Sequence, residues 1–277
     1  MEILKSCPCC GSKNYVMSPA FIFPFVSNRI FGQPTIELEK SNLTDIDLRK
    51  TLVGTFTFKC GKCYYMGNAI RYSQEQMELL YKGYRDKSYN EERIIFEPSY
   101  KERITNLEAQ YPYLKEVEKF IEDNTKNIRS ILDLGGGSGI NCPFRTSKKH
   151  SCWVYDLSPC KLVKDIVHWS KNEERRNFDL INCSNVLEHV PSLEDFIKNE
   201  ILNLDFKYLY IEVPNHEPEK NPTHDVIKKG WHEHINFFTK NSLISLFEKH
   251  SLIVIASKFF PEKKEARSTG ILLERSS

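Results

Sequence analysis

Cys7-Pro8-Cys9-Cys10 and Cys60-Gly61-Lys62-Cys63 each contain a Cys-x-x-Cys pair. Two such knuckles aim four thiolates at one tetrahedral ion, and zinc is the metal that this donor set suits. Cys7, Cys10, Cys60 and Cys63 are the expected ligands, with Cys9 able to replace Cys7 or Cys10. A redox dithiol is the rival reading, and the lack of a βαβ pattern around the knuckles speaks against it. Cys142, Cys152, Cys160 and Cys183 are scattered and read as small buried apolar side chains. A second constellation is Trp231-His232-Glu233-His234-Ile235-Asn236-Phe237-Phe238-Thr239, preceded by Pro214-Asn215-His216. Histidine titrates near neutrality and can take a proton from a reacting group. If Trp231 to Asn236 is extended, His232 and His234 share a face and Glu233 points away. His216, His224, Asp225, His232, Glu233 and His234 could instead hold a second metal. They could also be hydrogen-bonded loop residues without chemistry.

A third constellation is Ile131-Leu132-Asp133-Leu134-Gly135-Gly136-Gly137-Ser138-Gly139. An apolar strand ends in an acid and then in a turn where side chains would obstruct a ligand. A dinucleotide fingerprint needs a third glycine three places after the second, but Ile140 and Cys142 stand there. No Gly-Lys-Ser/Thr follows, which removes the phosphate loop. Ser151 to Asp156 reads as a second strand ending in a carboxylate placed to accept from ribose hydroxyls. The remaining pattern, acid-x-Gly-x-Gly-x-Gly, resembles motif I of the class I S-adenosylmethionine methyltransferases. Phe178-Asp179-Leu180-Ile181 running into Asn185-Val186-Leu187-Glu188-His189-Val190 resembles motif IV of that family. The resemblance implies S-adenosylmethionine as cofactor, held by Asp133, Gly135, Gly137, Gly139, Asp156, Asp165 and Asn185. The chain between Asp156 and Asp179 is short for the family, so a helix there is expected to be trimmed.

The histidine-rich segment is similar to the Tyr-His-Glu-His-x-x-Tyr-Phe stretch of sugar methyltransferases from deoxysugar and surface-polysaccharide pathways. Those enzymes also carry an N-terminal four-cysteine zinc module, so the resemblance covers both ends of the chain. It implies His234 as general base, with Glu233 and His189 assisting. It also implies His216, Trp231 and His232 as acceptor contacts. Trp231 stands where the family often has Tyr, which removes a hydroxyl. The expected acceptor is a sugar or nucleotide-linked precursor. An RNA methyltransferase using the cysteine module as a clamp is one rival, and a non-catalytic cofactor-binding scaffold is another.

The charge pattern argues against RNA. The 277 residues carry 39 Lys+Arg against 37 Asp+Glu, a net charge of +2. Residues 1–70 hold eight basic and five acidic residues. Four thiolates and one zinc dication reduce that excess to about +1. Neither count gives the electrostatic footprint of a nucleic-acid surface. No apolar run is long enough to span a membrane, and Met1 to Cys7 lacks a signal-peptide core. A cytoplasmic protein is expected, in a compartment where nine cysteines favour metal or free thiols. The oligomeric state stays open.

Specific elements must position these groups. Phe56 to Lys59 alternates like a strand before the second knuckle, so the cysteine module reads as a zinc ribbon. Its long Cys10–Cys60 spacing requires an insertion, expected to begin over Met17 to Phe31. Ser73-Gln74-Glu75-Gln76 is a capping box, followed by Met77, Leu80, Tyr81 and Tyr84 at helical spacing. Pro112 opens another helix through Tyr113, Val117, Phe120 and Ile121. The aromatics between them (Tyr84, Tyr89, Phe96, Tyr100), with Arg85, read as packing rather than as a lid. Ser192 caps a helix, Tyr208 to Val213 is a fifth strand, and Asn241 to His250 is helical. Leu252 to Ser257 and Thr269 to Leu273 close the sheet as a hairpin. Alternating strands and helices predict an α/β fold with a Rossmann-like, mostly parallel seven-stranded sheet. The expected division is a ribbon over 1–72, a helical connector over 73–126 and a methyltransferase domain over 127–277.

Overall fold

The computed structural model describes residues 2–32, 53–84, 86–107, 110–157, 160–171, 176–216, 230–262 and 265–275. The N-terminal half contributes five short strands: β1 (Glu2–Ile3), β2 (Tyr15–Ile22), β3 (Val53–Cys60), β4 (Met66–Asn68) and β5 (Ile70–Arg71). It also contributes five helices: α1 (Pro24–Phe31), α2 (Gln74–Tyr81), α3 (Lys87–Phe96), α4 (Tyr100–Leu107) and α5 (Leu114–Asn124). The C-terminal half contributes β6 (Ser130–Leu134), β7 (Ser151–Tyr155), β8 (Ile166–His168), β9 (Asn177–Ser184) and β10 (Asp205–Pro214). Then come β11 (Gly230–Trp231), β12 (Asn236–Phe237), β13 (Leu252–Glu262) and β14 (Glu265–Arg275). Among the described residues two α-helices accompany them, α6 (Leu193–Phe196) and α7 (Lys240–Glu248), with a 3-10 helix at Leu187–His189 and a π-helix at Ile197–Ile201.

Seven strands form one sheet in the order β13-β14-β10-β9-β6-β7-β8. The pairings from β10 through β8 are parallel, and β14 runs antiparallel to both β10 and β13. This is the expected α/β architecture with its terminal hairpin. The chain starts in the middle at β6, steps outward through β7 and β8, then crosses to β9 on the other side. The crevice at that reversal lies at the carboxyl ends of β6 and β9, where open α/β sheets bind ligands. Between Asp156 and β9 the described residues form turns and β8 but no helix, in line with the trimmed crossover.

Local signals explain the helix ends. Ser73 and Gln76 form the expected capping box on α2. Thr239 and Ser242 form a second one on α7, starting that helix just before Asn241. Ser192 caps α6 by accepting from the Asp195 N–H.

The cysteine module departs from expectation in two ways. Met17 to Phe31 is not an inserted loop. Tyr15 to Ile22 pairs with Val53 to Cys60 over its full length, and Pro24 opens α1, which stops at left-handed Gly32. Residues that pair along a whole strand cannot also loop out. In addition, the module's five-stranded sheet runs β11-β2-β3-β4-β12, so both edges come from beyond residue 127. The histidine-bearing segment between β11 and β12 is thereby tied to the cysteine module at each end.

A buried polar knot secures this junction. Asn236 donates to the carbonyls of Leu187 and Val190, each at 2.7 Å. Its carbonyl oxygen accepts from Tyr65 at 2.5 Å and from Arg71 at 2.7 Å. Arg71 also donates to the carbonyls of Pro191, Val190, Asn68 and Ile235. Three segments far apart in sequence thus share one set of satisfied donors and acceptors. Asn236→Ala is expected to cost about 3 kcal/mol, because it removes four buried hydrogen bonds at once and takes the acceptor from the buried Tyr65 hydroxyl. A urea unfolding curve checks this; an unchanged midpoint would refute the role of the knot.

Candidate active site

One broad cleft opens over the carboxyl ends of β6 and β9. Its floor begins at the glycine turn. Gly135 and Gly137 sit at φ 76° and 57°, a region that disfavours side chains. A Cβ on Gly135 would fall 2.5 Å from Val186, and one on Gly136 would fall 2.2 Å from the Asp133 carboxylate. The turn therefore presents bare backbone to the cleft. Asp156, at the end of β7, accepts the Gly137 N–H at 2.8 Å and lines the cleft. Asp133 lies beneath the turn, taking a 2.5 Å hydrogen bond from Asn182. Burial pushes its carboxyl up to about 7. Asn185 adopts φ 55° just after β9 and donates to the Tyr111 hydroxyl at 3.2 Å. These groups suit a nucleoside-bearing cofactor: bare backbone for close approach and a carboxylate for ribose hydroxyls.

The same cleft is also lined by a histidine corner. His189 and His234 meet edge to face, with ring centroids 4.5 Å apart. Nδ1 of His189 lies 2.7 Å from the Tyr81 hydroxyl and 3.3 Å from the Glu233 carbonyl oxygen. Glu188 is buried beside them, and burial pushes its carboxyl up to about 8. Its own Ile235 partner holds the backbone: the Ile235 N–H donates to the Glu188 carbonyl at 2.8 Å.

Glu233 points into a different partnership. Its carboxylate receives Arg93 at 2.7 Å, and Arg93 also reaches Glu97 at 3.1 Å. Burial, the largest single influence, would raise the Glu233 carboxyl, but the charge and hydrogen bond of Arg93 together with the charges of His189 and His234 outweigh it and hold it down at about 2.

Asp133, Gly135, Gly137, Asp156, Asn185, His189, Glu233 and His234 all line this cleft. Five other expected site residues do not. Gly139 packs beneath the turn, where a Cβ would meet Ile166 at 2.9 Å. Asp165 sits in an exposed turn before β8. Trp231 is fully buried in the five-stranded sheet, donating to Thr57 at 2.9 Å. His216 packs on Phe237 at 4.0 Å. His232 stacks on Phe23 at 3.7 Å and faces Glu97, so it does not share the surroundings of His234. His224 and Asp225 lie outside the described residues. Tyr81, Arg93 and Glu188 were not singled out from sequence. Tyr81 reads as part of an apolar helical face and Arg93 lies among aromatics read as packing, and nothing local announces a partner a hundred residues away.

The four cysteines do converge. Cys7 and Cys63 sulfurs lie 3.5 Å apart, and Cys10 and Cys60 sulfurs lie 3.6 Å apart. Zn–S bonds of about 2.3 Å give tetrahedral edges of about 3.8 Å, so this arrangement fits the ion. Cys9 is buried outside the quartet.

A sheet that reverses direction over a glycine turn, with an acid on the next strand, defines a cofactor-binding α/β domain. The chain matches the family model described as "Methyltransferase domain" over residues 105–257 and belongs to that family. Similar solved structures include the Burkholderia thailandensis 1,6-didemethyltoxoflavin-N1-methyltransferase with S-adenosylhomocysteine. That match has 15% identity and a TM-score of 0.47, covering 67% of this chain and 87% of that one. An S-adenosylmethionine-dependent methyltransferase from Clostridium acetobutylicum ATCC 824 has 12% identity and a TM-score of 0.47, covering 69% and 100%. Magnesium protoporphyrin IX methyltransferase from Synechocystis PCC 6803 has 14% identity and a TM-score of 0.43, covering 59% and 82%. No curated protein matches. Among the described residues no helix is long and apolar enough to cross a membrane.

The Arg93–Glu233 pair has a pH consequence. Its carboxyl is depressed from 4.5 to about 2 in the fold, so its stabilisation is complete above about pH 4.5. That contribution is lost as pH falls toward 2. Glu233→Gln should flatten this part of the stability–pH curve measured by thermal melts. An identical acid slope in the variant would show that the pair contributes nothing.

Proposed function

We propose that this chain transfers a methyl group from S-adenosylmethionine to a small acceptor. The acceptor class we favour is a sugar or nucleotide-linked precursor of a bacterial surface polysaccharide. One observation carries the reading: a single cleft joins the bare glycine turn to the histidine corner. When bound, the cofactor supplies an electrophilic methyl group on a positively charged sulfur.

The chain's own groups divide the remaining work. Gly135 and Gly137 keep the floor clear of side chains, and the Asp156 carboxylate receives ribose hydroxyls. Asn185 and Tyr111 border the path between floor and corner. Alignment of acceptor and methyl group supplies the largest share of the acceleration, about 7–11 kcal/mol in well-oriented systems. The acceptor's proton leaves at the corner made by Glu188, His189 and His234, and His234 is the imidazole on which turnover depends. Glu233 acts from behind: anchored by Arg93, it sets the course of the backbone that carries His234. The sugar assignment is supported by the Trp231 to Thr239 resemblance together with the four-cysteine quartet.

His234→Gln should retain S-adenosylmethionine affinity in calorimetry and lose turnover by about 10²–10⁴. S-adenosylhomocysteine release with a panel of nucleotide sugars reads this. Full activity in the variant would remove His234 from the reaction.

We also propose a structural zinc ion at Cys7, Cys10, Cys60 and Cys63. Cys10→Ser is expected to reduce bound zinc, measured by elemental analysis of the purified protein. It should also lower the unfolding temperature, because metal binding here is folding free energy. Equal zinc content in wild type and variant would refute the assignment.

A further inference from the structure

The histidine corner contains a donor set that a lone imidazole base does not require. Glu188, His189 and His234 each offer one ligand atom, and these atoms all lie within 4.8 Å of one another. Glu188 is only 2% exposed, and its Oε2 is buried without a hydrogen-bond partner. Yet Glu188, His189 and His234 all line the cleft. A buried carboxylate oxygen left unmatched is costly unless a cation or a donor meets it.

The surroundings orient the donors. Tyr81 and the Glu233 carbonyl both approach Nδ1 of His189. With its proton on Nδ1, His189 keeps a lone pair on Nε2, the arrangement usual for a histidine that ligates metal. The two ligand-bearing segments are joined at Ile235–Glu188 and through Asn236 to the Leu187 and Val190 carbonyls. The ligand-bearing backbone is therefore fixed before any ion arrives. Arg93 takes one oxygen of the Glu233 carboxylate and leaves Oε2 buried without a hydrogen-bond partner, but Glu233 is not among the residues whose ligand atoms converge here.

We propose that Glu188, His189 and His234 form a site for a divalent transition-metal ion in the wall of the cleft, separate from the four-cysteine quartet. Two imidazoles and one carboxylate suit zinc, iron, cobalt or nickel. Magnesium and calcium prefer all-oxygen shells. Metal–donor bonds of about 2.1 Å set neighbouring donors about 3.0–3.4 Å apart, which small side-chain rotations reach. Three protein ligands leave open positions, and an ion there acts as a Lewis acid toward a hydroxyl. Only this last role rests on the methyl-transfer reading, and it makes His234 a ligand instead of a free base. Metal binding itself does not depend on that reading.

The test uses the full-length protein carrying one zinc per chain at the cysteines, with excess zinc removed, and then titrated with cobalt(II). Calorimetry and metal analysis after dialysis should find one further cobalt per chain. Its absorption should be weak, without the intense thiolate charge-transfer bands that cobalt at the cysteines would give. Glu188→Gln and His234→Ala should each weaken this binding about tenfold or more. No further cobalt on the wild-type protein would overturn the proposal, whether or not the variants fold. Undiminished affinity in both folded variants would overturn it too. S-adenosylmethionine calorimetry on the same sample reports separately on the methyl-transfer reading.

Discussion

The carboxamide of Asn236 is the point on which the cleft depends. It is buried, its side chain bonds to groups from other segments, and two of its partners are backbone carbonyls of the loop that follows β9. In a low-dielectric interior such a network is stable when complete and costly when broken. It therefore holds a single geometry. Arg71 extends it to the ribbon, satisfying carbonyls of both flanking segments. His189 and His234 face each other because their backbones are both fixed to this knot.

The cysteine module gains a clearer purpose in this light. Its sheet is completed by β11 and β12, and its core is continuous with that of the seven-stranded sheet through residues such as Phe58, Tyr65 and Phe238. Thr239, which caps α7, also donates to the Cys63 carbonyl at 2.8 Å. The module thus braces the segment that carries the histidines. A metal quartet at its tip would stiffen that brace.

Electrostatics divide the acids of the cleft by environment. Glu233 stays ionised because Arg93 lies against it, although burial opposes the charge. Asp133 and Glu188 lack such a cation and are pushed upward by burial. Neighbouring carboxyls with opposite shifts are a common feature of reaction sites. Here the guanidinium of Arg93 on α3, with His189 and His234, separates Glu233 from the other two acids.

Local chemistry was enough to read much of this protein from its sequence. The glycine turn at Gly135 and Gly137, the acid at Asp156, the alternating strands and helices, and the two knuckles all have short-range signatures. Turn conformation, strand periodicity and ligand spacing are set by neighbours in the chain. Only the tertiary structure decided which histidine faces the cleft. His232 stacks on Phe23 and Trp231 fills the ribbon core, while His234 meets His189. It likewise assigned Glu233 to Arg93, placed Tyr81 against His189, left Asp165 and Gly139 outside the cleft, and exposed the uncommitted oxygen of Glu188. Each of these depends on partners tens to more than a hundred residues apart. Chain spacing carries no information about such pairs until burial forces every polar group to find its match.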